Sequence, residues 1–213
     1  MDDAATLGTP GAALENCVIS VDVIRKSFGD SHVLRDIRFA VEKGETVAIR
    51  GPSGIGKTTL LRLIAGIDTA FEGEIRRPDA MAIVFQEPTL LPWRTVSQNI
   101  TLVHPELDRD SARAALEKVG IGDKADLFPG QLSLGQQRRL SLARAFAARP
   151  DLLILDEPFV SLDPLLAEEM LTLTEALIRE YRPATIFVTH DADEAARLSD
   201  RILTLGGAPA TLV

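Results

Sequence analysis

The chain has 213 residues, 46% of them hydrophobic and 25% charged. At about 100–200 residues per domain this makes one globular domain, and it excludes both a disordered chain and a multidomain machine. Lysine and arginine number 23 against 31 aspartate and glutamate, a net charge of −8 that repels phosphate strands and argues against a nucleic-acid partner. Cys17 stands alone, so there is no internal disulfide framework and a reducing cytosol is the simplest home. No apolar run approaches the roughly 18 residues that cross a bilayer, because Leu152–Leu155 is cut off by Asp156 and Glu157. Residues 1–16 lack a basic start followed by an apolar block and read as a flexible leader, not a signal peptide, leaving 17–213 as the domain.

Apolar residues alternate over Val18–Val23 and Val33–Val41, predicting two strands joined through a Gly29-Asp30 turn. A short strand, Thr46–Arg50, then runs through a Gly-rich turn into a helix over Lys57–Ile67, with Leu60, Leu61, Ile64 and Ile67 on one face. Ala82–Phe85 is a buried-strand candidate that ends in the Pro-rich stretch Glu87–Trp93. Helical periodicity follows over Val96–Val103, Asp110–Val119 and Gln136–Ala148, predicting an α-helical insertion at about 88–148. Leu152–Leu155 reads as a central parallel strand and Thr185–Val188 as its neighbour, with a helix over Pro164–Glu180 between them. A helix over Ala192–Leu198 and a strand over Ile202–Leu205 close the chain. The βαβ rhythm predicts an α/β fold with a mostly parallel sheet, helices on both faces and an antiparallel β subdomain at its start.

Gly51, Pro52, Ser53, Gly54, Ile55, Gly56, Lys57 and Thr58 fit a phosphate-binding loop between strand and helix. The glycines let backbone N–H groups curl around a phosphate at a helix N-terminus, Lys57 neutralises the β and γ phosphates, and Thr58 can ligate Mg²⁺. Asp156 and Glu157 project from the carboxyl end of a central strand, where ligands of open α/β sheets collect. Asp156 suits Mg²⁺, and Glu157 can orient and deprotonate an attacking water. His190 ends the next strand at the same sheet edge and is either a γ-phosphate or water contact or a partly buried structural histidine. Gln86 closes another strand there, as an Mg²⁺- or water-sensing amide or a solvated side chain. His32 and His104 read as surface residues. Ser133, Leu134, Gly135 and Gln136 precede a helix carrying Arg138, Arg139 and Arg144; they form either a plain cap or a second anion site. A single domain needs only one such site, so a second would serve another copy of the chain.

Together these residues resemble the ATP-binding-cassette ATPase family over about Val18–Leu205. The resemblance rests on Walker A (Gly51–Thr58), the Q-loop Gln86, the signature-like Leu132–Gln136, Walker B (Leu152–Glu157), the D-loop Ser161-Leu162-Asp163 and the switch His190. It implies a P-loop NTPase fold, hydrolysis of ATP with Mg²⁺, and a head-to-tail homodimer with each ATP held between one Walker A and the partner's signature. Thr59 joins the implied nucleotide contacts, and Phe28 falls where the family stacks an aromatic on adenine, with core packing as the competing role. It also implies transmembrane permease subunits, a substrate-binding protein and a peripheral place on the cytoplasmic side of the inner membrane. Phe85–Trp93 is similar to the importers of nitrate, sulfonate and taurine, where exposed Leu90, Leu91 and Trp93 would receive a helix of the membrane subunit, unless they pack locally. Leu134 departs from the family's first signature glycine, adding a side chain and restricting the backbone near the γ-phosphate. The short stretch after Leu205 lacks the C-terminal regulatory helices of many relatives. The rivals are a non-transport cassette ATPase of DNA repair or translation, which would carry a basic groove or a second cassette, and a small-molecule kinase, which would need an acceptor.

Overall fold

A computed structural model describes residues 17–213; the leader expected over 1–16 lies outside the described residues. β1 (Cys17–Phe28) and β2 (Ser31–Glu42) pair antiparallel around the Gly29-Asp30 turn, both longer than their alternation predicts. In β1, Ile19, Val21 and Val23 face inward. A register shift against β4 between Val23 and Arg25 then breaks the phase, and Lys26 turns inward in place of Arg25.

β3 (Thr46–Arg50) leads through the phosphate loop to α1 (Lys57–Ile64). The helix ends short of the expected Ile67 because Gly66 takes a left-handed conformation (φ 70), and the Ile67 and Asp68 N–H groups fold back onto the Arg62 carbonyl. Ile67 is therefore exposed. β4 (Glu72–Arg76), which no alternation announces, pairs antiparallel with the other edge of β1. Gly73 is required there: a Cβ would lie 2.0 Å from the Asp22 carbonyl oxygen.

β5 (Met81–Val84) stops one residue before the predicted Phe85. The predicted helix over Val96–Val103 contracts to α2 (Gln98–Thr101): the Val96 and Ser97 N–H groups donate to the Leu127 (2.8 Å) and Ala125 (2.9 Å) carbonyls, and fully buried Asn99 pins the preceding loop. Its Oδ1 accepts from the Leu91 N–H (2.8 Å) and its Nδ2 donates to the Leu91 (3.2 Å) and Thr95 (3.0 Å) carbonyls. Then come α3 (Arg109–Lys118), α4 (Leu134–Phe146), β6 (Leu152–Asp156), α5 (Pro164–Tyr181), β7 (Ala184–Val188), α6 (Ala192–Leu198) and β8 (Arg201–Gly206). An unpredicted β9 (Thr211–Leu212) folds back antiparallel on β8.

Among the described residues the main sheet has the order β5-β6-β7-β3-β8-β9, parallel except at β9, and β2-β1-β4 forms a second, antiparallel sheet. Alternation in the central strand β6 divides two apolar interiors. Leu153 and Leu155 join Leu116, Leu140 and Phe146 of the helical side, while Leu152 and Ile154 join Leu60 and Ile64 of α1 and Val21 and Ile37 of the β1–β2 pair. Burial of each such side chain is worth about 1.5–3 kcal/mol. The same period of two places the Asp156 side chain on the α1 face, above Thr58. No described helix is long and apolar enough to cross a membrane.

Candidate active site

The β3–α1 connection shows why the loop sequence is glycine-rich. Gly54 (φ 77) and Gly56 (φ 111) occupy backbone conformations that side chains disfavour, and a Cβ on Gly56 would lie 2.9 Å from the Leu34 Cδ2. Gly56 is also the N-cap of α1 and supplies no side-chain cap, which leaves the first N–H groups of the helix free to meet an anion. Lys57 is only 6% exposed. Its ammonium donates to the Gly51 (2.9 Å) and Pro52 (3.2 Å) carbonyls and lies 3.6 Å from the Glu157 Oε1.

These groups open onto one cleft of about 390 Å³ lined by Ser53, Gly54, Gly56, Lys57, Thr58, Thr59, Gln86, Asp156 and Glu157. Ile55 turns away and packs against the interior beneath α1. Gln86 reaches the cleft from two residues beyond β5, not from the strand end as predicted. Burial, reinforced by the neighbouring Glu157 and opposed by Lys57, raises the Asp156 carboxyl above its ordinary value of 3.8. Acidification therefore protonates Asp156 before an ordinary aspartate, and only the ionised form attracts a cation.

Glu157 follows β6 with a positive φ of 45, uncommon for a residue with a side chain, while its N–H still donates to the Val188 carbonyl (3.0 Å). That bend holds its carboxylate between Lys57 and His190, whose Nδ1 is 3.7 Å from the Glu157 Oε2. At 62% exposure the His190 side chain is not a buried structural histidine. The segment carrying it is fixed by residues that the sequence did not single out. Fully buried Thr189 donates from Oγ1 to the Glu194 Oε2 (2.5 Å) and accepts from the Asp191 N–H (3.0 Å). Burial, foremost, raises the Glu194 carboxyl, although the Thr189 hydrogen bond opposes it. A threonine in a β-branched run and a glutamate on a short helix give no sequence signal of this pairing.

The signature segment stands apart from this cleft. Ser133 caps α4 in a reciprocal pair with Gln136: its hydroxyl accepts from the Gln136 N–H (3.3 Å), and the Gln136 Oε1 accepts from the Ser133 N–H (2.9 Å). Leu134 is the first residue of α4 and nearly half exposed. A helical backbone suits leucine, so its effect lies in the projecting side chain and not in the predicted backbone restriction. Gly135 packs so closely that a Cβ would lie 2.8 Å from the Leu166 Cδ1. The arginines of α4 do not gather at its N-terminus: Arg139 donates to the Val119 carbonyl (2.9 Å) and Arg144 to the Thr89 carbonyl (2.6 Å). Asp163 caps α5, accepting from the Leu166 N–H (3.1 Å).

Phe28 ends β1 with its ring 55% exposed, which removes the core-packing alternative. His32 is exposed, but His104 is half-buried with its Nε2 2.8 Å from the Arg144 carbonyl oxygen, a correction to its surface assignment. Trp93 is 68% exposed. Leu90 packs against the helical interior and Leu91 is partly buried, so neither is the open apolar residue expected of it.

Thr58, Gln86 and Asp156 offer a hydroxyl, an amide oxygen and a carboxylate in one cleft, a hard-oxygen set that fits Mg²⁺ completed by phosphate and water. Among the described residues, no cluster of three or more His, Cys, Asp or Glu could hold a metal alone.

Parallel sheet, phosphate loop and strand-end acids define a P-loop ATPase. The family model described as ABC transporter matches residues 34–160. Aliphatic sulfonates import ATP-binding protein SsuB 3 of Rhodococcus jostii (strain RHA1) is 45% identical over 189 residues, 88% of this chain and 70% of that protein. The SsuB of Granulibacter bethesdensis (strain ATCC BAA-1260 / CGDNIH1) is also 45% identical over 189 residues, 88% of this chain and 79% of its own length. Among solved structures, the dimeric post-hydrolysis state of the ATP-binding cassette MJ0796 bound to ADP and Pi superposes with a TM-score of 0.77 at 28% identity, covering 91% of this chain and 96% of that one. The cbiO1 of Clostridium perfringens, part of the ABC transporter complex cbiONQ, gives a TM-score of 0.80 at 28% identity over 93% and 88%. The chain belongs to the ABC transporter family. It is an ATP-binding subunit that hydrolyses ATP, with Mg²⁺ as cofactor.

Proposed function

We propose that the chain powers import of a small anion, with an aliphatic sulfonate as the favoured cargo. The cargo assignment is supported by relatives named for aliphatic sulfonate import at 45% identity. The role assignment is carried by one observation: the phosphate loop, Gln86, Asp156 and Glu157 line a single cleft while Ser133–Gln136 lie outside it. In this reading one domain spans 17–213, with the insertion at about 88–148 bearing the signature. The loop N–H groups and Lys57 bind the triphosphate, with Ser53, Thr58 and Thr59 beside them. Thr58, Gln86 and Asp156 hold Mg²⁺, which supplies charge neutralisation at the phosphates. Glu157 is the general base and orients the water, and His190 and Gln86 respond to the γ-phosphate. Phe28 stacks on adenine.

Ser133, Leu134, Gly135 and Gln136 then serve ATP bound to a second copy, with Asp163 at the same junction. The post-hydrolysis dimer of the MJ0796 cassette supports a two-chain assembly. The Leu134 side chain is an obstacle at that junction, so Leu134→Gly should preserve or raise the hydrolysis rate at chain concentrations that favour the dimer. A large loss of steady-state phosphate release would instead make the leucine a needed contact.

Permease subunits and a substrate-binding protein complete the assembly, with the chain peripheral on the cytoplasmic side of the inner membrane. Exposed Trp93 supports docking of a membrane-subunit helix at the Pro-rich stretch. Solubilised membranes containing the tagged chain should yield a multi-spanning subunit, and cells lacking the chain should lose uptake of a labelled aliphatic sulfonate. Unchanged uptake of sulfonates with loss of another anion would overturn the cargo, and purification without any multi-spanning partner would overturn the transport role.

A further inference from the structure

Lys26 is 2% exposed, among the largest fully buried side chains of the described residues, and it sits within a strand whose other inward residues are aliphatic. A buried ammonium is costly unless its three N–H donors are satisfied. Here it forms an ion pair with the Asp68 Oδ2 (2.6 Å), donates to the Ala70 carbonyl (2.8 Å) and lies 4.5 Å from the centroid of the Phe28 ring. The register shift against β4 makes this possible, because it turns Lys26 inward near the end of the strand, with its ammonium still in reach of the Phe28 ring. Asp68 belongs to the turn that ends α1, the helix whose other end carries the phosphate loop. The Lys26 hydrogen bond, with that of the Ala70 N–H, holds the Asp68 carboxyl below its usual range, so Asp68 stays ionised through neutral pH.

We infer that Lys26 is a positioning residue for the nucleotide base: its ammonium fixes one face of the Phe28 ring, leaves the other free for adenine, and through Asp68 ties that platform to the helix that binds the triphosphate. The inference rests on the stacking role proposed for Phe28. A ring held in its bound orientation loses less freedom when the base arrives, and a cation behind it polarises the π face that the base meets.

The test compares ATP with inorganic tripolyphosphate, which engages the loop and offers no base, by titration calorimetry on the full chain with Mg²⁺. Phe28→Ala should weaken ATP binding and leave tripolyphosphate unchanged. Lys26→Met should weaken ATP by roughly 3- to 10-fold, again with tripolyphosphate unchanged, and should add nothing further in the Phe28→Ala background. Lys26→Arg should restore part of the loss. Equal loss for both ligands, or the same loss with and without the ring, would overturn the inference while leaving stacking intact. Unchanged ATP affinity in Phe28→Ala would overturn stacking itself, and the inference with it. Should Lys26→Met fail to fold, Asp68→Asn carries the test: a selective loss of ATP affinity supports the inference, and none overturns it.

Discussion

A Glu157→Gln variant is expected to bind ATP at least as tightly as the parent and to release phosphate about 10²- to 10⁴-fold more slowly, the usual contribution of a positioned general base. The amide keeps the volume of the carboxylate and a hydrogen-bonding oxygen, so the strained turn after β6 has no reason to move. What it loses is the capacity to take a proton from water. It also removes a negative charge 3.6 Å from the Lys57 ammonium, freeing that cation for the triphosphate, so affinity holds or rises. Removing the same charge relieves the repulsion that helps to raise the Asp156 carboxyl, and ATP-dependent Mg²⁺ binding should then persist to lower pH. Calorimetry and steady-state phosphate release separate these effects; parental turnover in the variant would take Glu157 out of its role.

Lys57→Met has the second large effect, and in the opposite pattern. Methionine retains much of the buried stem but removes the ammonium, and hydrogen bonds to charged groups are worth about 1.5–3 kcal/mol. ATP affinity should fall by roughly 10- to 100-fold, with turnover lost at ordinary nucleotide concentrations. The Gly51 and Pro52 carbonyls lose their donor as well, so a modest drop in thermal stability accompanies the change. Parental affinity in a folded Lys57→Met chain would mean that the triphosphate binds elsewhere.

How far these residues could be read from the sequence depended on whether their chemistry is local. The phosphate loop is local: glycines, lysine and threonine at fixed spacing between strand and helix carry the whole arrangement, and the structure opens them onto one cleft with Asp156 and Glu157. The Ser133 cap was legible for the same reason. Features set by distant partners were not. β4 has a single aliphatic side chain, Ile75, and is a strand because β1 offers an edge and Gly73 lets the backbones approach. α2 is shorter than its periodicity because the Val96 and Ser97 N–H groups are bound to the distant Leu127 and Ala125 carbonyls. Leu90 reads as exposed beside prolines but packs against the helical interior. Lys26 lies beyond the predicted alternation of Val18–Val23, and the register shift against β4 turns it inward. Sequence patterns report what a residue does with its neighbours in the chain, and these residues are placed by neighbours from elsewhere in it.

The division of apolar packing by β6 has a bearing on how such a chain can diversify. Alternate side chains of one strand serve opposite compartments, so a change of volume on the helical side reaches Thr58 and Asp156 only through stiff, hydrogen-bonded backbone. The helical side can therefore change its packing while the site beneath α1 keeps its tolerances.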